Sequence, residues 1–419
     1  MRINSHPEDR SRADEDHAPP EVIKVQGAGD ALALVQHGLG FMPEESLVVV
    51  GLHRKRSGAH LRIDLRAGVD HPQSLARWVC EHLAGAQTSP HPDGAVIYLF
   101  TSEVPAPPAL GDAALRPFAG LQESLVRLLR DDYGIGVVQT WWVGGGRIRD
   151  YDCEAESCCP YPGEDVEVAA HSAVHSHITA RGRRLLQTPT QMVDEFLSAA
   201  PTLTAAMIER AAAVEMEQRA LLDVEDEALM ALLCWDELIS EEQAVSEDDS
   251  ATPREDRWYR GRAEQLGRMA ASLTFGDLRD AIFVVAAESF HLAAVGLRVL
   301  RRSRAGEAPE EGVGRFRHVL SGSTGDRPSW DRVDALARLL AHLQPVMSDA
   351  GRAESLALMG WIEWARGRGT ISGAYLDRCL DHVPRHPLGE LLTLYTDGGA
   401  ICPWAMVREH SWSAGDGGR

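Results

Sequence analysis

The sequence predicts an α/β N-terminal domain, a mixed sheet with flanking helices, followed by an all-α domain ending in a tetratricopeptide-like helix pair. Three observations carry this. Up to Pro160, short β-branched and aromatic runs alternate with amphipathic stretches, the pattern of a sheet with helices packed on it. From Trp258 on, only helical periodicity is present, and helices also dominate from 188 to the acidic stretch near 240–256. Near the end, Leu356, Met359, Gly360, Ser372, Leu376, Cys379 and Pro384 follow the tetratricopeptide order of large, large, Gly, small, large, small, Pro. One such unit cannot bury its own face, so it stacks on the preceding helices or on a partner. A chain of 419 residues is long for one core. The expected division is a disordered tail over 1–20, the α/β domain over 21–187, a helical domain over 188–345 with a mobile acidic loop near 240–256, the helix pair over 346–404, and a second tail over 405–419.

Taken in order, residues 21–26 suit a short strand and 29–36 a helix. Residues 47–52 are continuously apolar, as in a strand covered on both faces. Residues 60–65 alternate Leu61, Ile63 and Leu65 with Arg62 and Asp64, a half-buried strand pairing back on its predecessor. Residues 71–84 place Leu75, Trp78, Val79 and Leu83 at helical spacing, and 94–100 form a further apolar strand. Residues 113–132 carry Leu121, Leu125, Leu128 and Leu129 on one helical stripe. A strand over 136–143, a glycine turn at 144–146 and a returning strand over 147–153 make a hairpin. Helices then follow over 171–181, 189–196, 202–222, 226–239, 257–273, 278–302, 330–343, 348–366, 373–382 and 387–396.

The formal charge of −20 argues against a general nucleic-acid coat, which wants a basic surface. Seven cysteines, an odd number and mostly scattered, are not the framework of a small secreted domain. The first 20 residues are polar and charged, unlike a signal peptide. The most apolar window, 281–300, contains Glu288, His291 and Arg298, so it reads as a buried helix and not a membrane span. The expected setting is cytoplasmic.

The chemistry-bearing residues gather after the hairpin. Alternation puts Arg147, Arg149, Tyr151 and Cys153 on one strand face and Ile148 and Asp150 on the other. Two guanidiniums, a phenol and a thiol, with Trp142 on the neighbouring strand, would make a floor for a small anionic ligand or a partner's carboxylate. The alternative is a solvated edge hairpin. Cys153, Cys158 and Cys159 precede His171, His175 and His177; thiolate plus imidazole is a zinc set, with His171 and His175 four apart as on one helix face. The spacing matches no standard zinc module, and a Cys153–Cys158 disulfide or free buried thiols are the competing readings. Arg62 and Asp64, two apart on one strand face, form an ion pair or face a ligand. Trp361 and Trp364 share a helix face, as core or as a partner groove. No nucleotide-loop, nucleophile-elbow or zinc-protease motif occurs.

With these residues in view, the chain resembles an actinobacterial family known as domain of unknown function (DUF) 4192. The likeness rests on residues 40–52 (GFMPEESLVVVGL), on Arg62-Ile63-Asp64-Leu65, on Tyr151-Asp152-Cys153 through Cys158-Cys159-Pro160 and Gly163, and on the helical tail ending at Pro384 with Pro403-Trp404 beyond. The His37-Gly38 pair and the acidic loop at 240–256 depart from the pattern. The resemblance implies a fold and a bacterial cytoplasmic setting, and no activity. Two functions follow as expectations. One is a ligand- or protein-binding module without catalysis. The other is a hydrolase or redox or metal enzyme using Tyr151, Cys153, Cys158 and Cys159, with Arg62, Asp64 and Arg149 holding an anionic substrate. Both nominate one site: Arg62, Asp64, Trp142, Arg149, Tyr151, Cys153, Cys158 and Cys159.

Overall fold

A computed structural model describes residues 24–84, 91–103, 116–180, 184–186, 188–198, 203–244, 262–304 and 313–413. The expected N-terminal tail, the acidic loop from 245 on and the start of the helix read at 113 lie outside the described residues.

The apolar runs form the centre of a six-stranded mixed sheet. β1 (Ser46–His53) pairs antiparallel with β2 (Arg56–Asp64) on one side and with β3 (Gly94–Thr101) on the other. β3 runs parallel to β4 (Gly136–Gly144). A parallel pair needs a crossover, and α4 (Ala119–Asp131) supplies it. The sheet continues antiparallel through β5 (Arg147–Asp150) to β6 (Glu164–Asp165). The β4–β5 turn runs through Gly145 and Gly146, both at positive φ, as the glycine run predicts.

Both faces of the sheet are covered, which is why β1 and β3 carry no polar alternation. Leu47, Val49, Ile97 and Leu99 point toward α3 (Pro72–Ala84) and α4, and α2 (Ala67–Asp70) leads into α3. Val48, Val50, Tyr98, Phe100, Val143 and Ile148 point the other way, toward α1 (Ala28–Leu39) and α5 (Ala173–Ala180). Residues 24–26, read as part of a strand, are irregular. Gly38 on α1 leaves room for the ring of His60, since a Cβ there would lie 2.1 Å from His60 Nδ1. The His37-Gly38 departure thus has a packing reason on this face. His37 Nε2 also lies 3.1 Å from His175 Nδ1, tying α1 to α5.

The rest is helical: α6 (Pro189–Ser198), α7 (Ala205–Arg219), α8 (Glu225–Ala244), α9 (Ala263–Leu273), α10 (Gly276–Ala287), α11 (Phe290–Arg304), α12 (Val313–Leu320), α13 (Trp330–His342), α14 (Asp349–Ala365), α15 (Gly369–His382), α16 (Pro387–Asp397) and α17 (Pro403–Met406). Four differences from the sequence reading have physical causes. The stretch 278–302 is two helices, because Ser289 Oγ accepts the Leu292 N–H and starts a new one. α8 runs to Ala244 because Glu242 is buried against Arg338, 2.7 Å away, so the acidic stretch begins inside a helix. α12 has no counterpart in the sequence reading; its short apolar face (Val313, Phe316, Val319) carries too little periodicity to stand out. Residues 405–413, expected as a tail, pack on the helical core. Trp412 donates its indole N–H to Asp334 at 3.1 Å and lies 5.0 Å and 5.5 Å from the Arg366 and Arg368 guanidiniums, while Trp330 donates to His410 O at 2.7 Å.

Trp361 and Trp364 are buried in the helical core. Trp361 stacks on Phe283 at 4.6 Å and donates to Leu320 O; Trp364 donates to Ala400 O. α14 and α15 form a close helical hairpin. Ser372 Oγ donates to Gly360 O at 2.7 Å, and a side chain at 360 would meet Leu376 at 2.7 Å.

The two halves are stitched by the segment that carries the strongest sequence motif. Phe41 leaves the α/β domain to be buried in the helical core, beside a bridge to Leu186. Arg62 Nε donates to Ser46 Oγ at 2.9 Å, and its Nη1 reaches Thr370 Oγ1 on α15 at 3.0 Å. Phe41→Ala should therefore cost about 3–5 kcal/mol, read as a lower denaturant midpoint by tryptophan fluorescence. A loss under 1 kcal/mol would show that Phe41 is not an anchor. Burial holds the His60 imidazole down at about 4 against its ordinary 6.5, so the folded chain keeps it neutral. The unfolded chain then binds the proton first, and this contribution to stability, full above pH 6.5, is lost as pH falls toward 4. Acid titration of His60→Gln should show a shallower decline than wild type over that window; matching slopes would refute it.

Candidate functional site

The thiol-bearing residues sit on the connection between β5 and β6, at one edge of the sheet. β5 ends at Asp150, whose Oδ1 accepts the N–H groups of Asp152 (2.8 Å) and Cys153 (2.9 Å), so the chain turns sharply out of the strand. Arg149 is buried and donates to Cys153 O at 2.8 Å. Arg116 holds Tyr151 O at 3.1 Å and Glu154 Oε1 at 2.5 Å, with its guanidinium 5.7 Å from the Tyr151 ring. Ala155 O then accepts the N–H groups of Cys158 (3.2 Å) and Cys159 (2.9 Å), which folds the segment back on itself. Gly163 closes the loop at φ 108; a Cβ there would sit 2.5 Å from Ile148 O, so only glycine fits so close to β5.

This folding collects three sulfurs. The Sγ atoms of Cys153, Cys158 and Cys159 all lie within 4.8 Å of one another, and Cys153 Sγ is 3.3 Å from Cys158 Sγ. All three are free thiols; Cys158 is exposed and the other two are half-buried. The Ala155 amide, followed by the Cys158 and Cys159 thiols, stabilises the Cys153 thiolate and pulls that thiol below its ordinary value. Desolvation, then the two neighbouring sulfurs, pushes Cys159 up to about 12. Of these two, Cys153 is the one favoured as thiolate and Cys159 the one favoured as thiol. By contrast, burial pushes Cys80, Cys379 and Cys402 up to about 12 and Cys234 to about 11.

The other nominated residues divide. Trp142, Arg149 and Tyr151 do join the loop's root, on the sheet face expected from alternation. Arg149 pairs across from Trp142, and the Trp142 and Tyr151 rings stack at 6.1 Å. Tyr151 is buried, donates its hydroxyl to Pro117 O at 3.0 Å, and is raised by desolvation. Arg147 instead turns to Asp165 at 3.7 Å. Arg62 and Asp64 lie on β2, four strand spacings from β5, roughly 19 Å at about 4.8 Å each. They do not pair with each other either: Asp64 caps the Arg66 N–H at 2.8 Å, and Arg62 serves the domain junction. The expected single cleft of Arg62, Asp64, Arg149, Tyr151 and Cys153 does not form.

His171 and His175 do not join the thiols and do not share a helix. Ser172 interrupts, ending a 3-10 turn at His171 and accepting the His175 N–H at 3.0 Å to start α5. No histidine or carboxylate completes the trio among the described residues. Sequence reasoning missed Arg116, because it lies in the turn just before α4 and no local pattern links it to residue 151. The Asp150 turn was legible in principle, since Asp two residues before a break is a turn signal.

An α/β layer fused to a helical array, with a surface loop of three thiols, defines a class of thiol-bearing two-part protein. The family described as Domain of unknown function (DUF4192) matches residues 29–313 and 324–400, and the chain belongs to it. No curated protein and no solved structure gave a match. No helix among the described residues is long and apolar enough to cross a membrane.

Limited alkylation of the reduced protein, mapped by peptide mass spectrometry, should modify Cys153 and Cys158 before Cys80, Cys234, Cys379 and Cys402. Equal rates at all sites would mean the loop does not present its thiols as described.

Proposed function

We propose that the protein is a binding module without a catalytic centre, and that the thiol loop between β5 and β6 is its ligand site. The observation that carries this reading is the meeting of three sulfurs within 4.8 Å on a loop pinned at both ends. Catalysis by a thiol needs an acid or base within hydrogen-bond reach of the nucleophile. Here Tyr151 spends its hydroxyl on a backbone carbonyl, Arg149 spends its guanidinium likewise, and no histidine among the described residues joins the cluster. The same engagement of Arg149 and Arg62 speaks against a small anionic ligand. A redox thiol pair is the second reading, favoured by the 3.3 Å approach of Cys153 and Cys158.

The helical half supplies a second surface for a protein partner. Its α14–α15 hairpin fits a degenerate tetratricopeptide unit, with Gly360 against Leu376, Ser372 bonded across, and Pro384 after the second helix. A cytoplasmic setting agrees with seven free thiols.

Native mass spectrometry of the full chain tests the reading. The isolated protein should carry a non-covalent adduct that is absent from the Cys153→Ser/Cys158→Ser/Cys159→Ser variant, with circular dichroism unchanged. Bare wild-type mass would overturn the binding reading, and a mass two hydrogens short would favour the redox pair instead.

A further inference from the structure

We infer that the β5–β6 loop is a three-thiolate site for a thiophilic divalent cation of the zinc class, held by Cys153, Cys158 and Cys159 with one coordination position left open. This rests on the binding reading above and names its ligand.

The geometry comes first. Zinc–sulfur bonds of about 2.3 Å at tetrahedral angles put sulfur atoms about 3.8 Å apart. The trio here has one pair at 3.3 Å and all members within 4.8 Å, so the required spacing lies inside the observed range.

The backbone is also arranged as a second shell. Asp150 Oδ1 accepts the Cys153 N–H at 2.9 Å, and Arg149 donates to Cys153 O at 2.8 Å, so the backbone of that ligand is held on both sides. Ala155 O in turn fixes the amides of Cys158 and Cys159, so one carbonyl sets the placement of two of the ligands. That tight turn also answers the usual objection to adjacent cysteines. Neighbours in an extended strand point to opposite faces. In this turn Cys158 and Cys159 both direct their sulfurs toward Cys153.

Charge is consistent with a cation of this kind. Three thiolates around a divalent ion leave a single negative charge. The buried Arg149 guanidinium, 2.8 Å from Cys153 O, and Arg116 beyond it lie on that side of the loop. The nearby carboxylates are engaged elsewhere: Asp150 caps two amides, Glu154 pairs with Arg116, and Glu156 accepts the Tyr161 N–H at 3.3 Å. They do not compete for the ion. Soft sulfur ligands select against magnesium and calcium, which take oxygen.

The open position sets the chemistry. Structural zinc sites are closed by four protein ligands; a site with three keeps a place for an outside group. Cys158 is the exposed member of the three, so an outside group can reach the loop from solvent. Three anionic sulfurs weaken the ion as a Lewis acid, which fits exchange of a thiol, imidazole or water ligand better than activation of water for hydrolysis. On loading, each thiol proton passes to solvent as its sulfur–metal bond forms, and no electron moves.

Cobalt(II) is the probe. The reduced, metal-free full chain is titrated with cobalt(II) under anaerobic conditions. The expected result is a sulfur-to-cobalt charge-transfer band in the near ultraviolet that saturates at one equivalent and is abolished by zinc. Cys153→Ser, Cys158→Ser and Cys159→Ser should each weaken binding by more than about tenfold. His171→Ala and His175→Ala should leave it unchanged. Circular dichroism establishes that each variant is folded. A folded wild-type chain with no such band overturns the inference. So does a band insensitive to Cys159→Ser, or one lost in His171→Ala. If the native mass spectrum shows a thiol-dependent adduct while cobalt gives no band, the binding reading stands and the cation assignment falls.

Discussion

Burial of both faces of β1 and β3 is the constraint on which the remaining structure depends. Leu47, Val49, Ile97 and Leu99 on one side and Val48, Val50, Tyr98 and Phe100 on the other leave these strands no solvent face. A sheet of that kind needs helices on both sides, and the parallel β3–β4 pair needs one of them as its crossover. Once the centre is covered, chemistry that requires solvent has to sit at an edge or beyond a strand end. The thiol loop lies in such a place, past the end of β5 and short of the two-residue β6.

The helical half is coupled to this sheet at the opposite edge. Phe41 is buried among helical residues, and Arg62 spans from Ser46 to Thr370. The motif at residues 40–52 therefore does architectural work: its first part is the hinge between halves and its second part is the central strand. A specific sequence signature here marks a packing requirement, and the loop with the chemistry lies beyond β5, three strand positions from β1. Within the helical half itself, the C-terminal residues are tied down by Trp404 and Trp412, which donate to Thr324 and Asp334.

Much of the fold was legible because it depends on local periodicity. The run at 47–52, the glycine turn at 144–146 and the stripe of Leu121, Leu125, Leu128 and Leu129 each specify an element within a few residues. The failures occur where one side chain overrides the pattern. Ser289 divides a continuous apolar stretch, Ser172 separates two histidines that count as one helix face, and Trp412 recruits an apparent tail. Half of the candidate site was legible for the same reason. Cys153, Cys158 and Cys159 are close in sequence, so a turn suffices to collect them. Arg62 and Asp64 were grouped with them by residue type, and the strand order separates them.

By itself, the sequence determined the two-part architecture, the covered strands, the hairpin and the presence of a thiol-rich segment, because apolar spacing and turn residues act over short range. Only the tertiary structure decided which polar groups are free to act. Arg149 and Tyr151 read as ligand-facing on paper, yet burial obliges them to satisfy backbone carbonyls at Cys153 and Pro117. Whether a guanidinium or a phenol faces a ligand depends on contacts between residues far apart in the chain, such as Arg116 with Tyr151, and no local pattern encodes those.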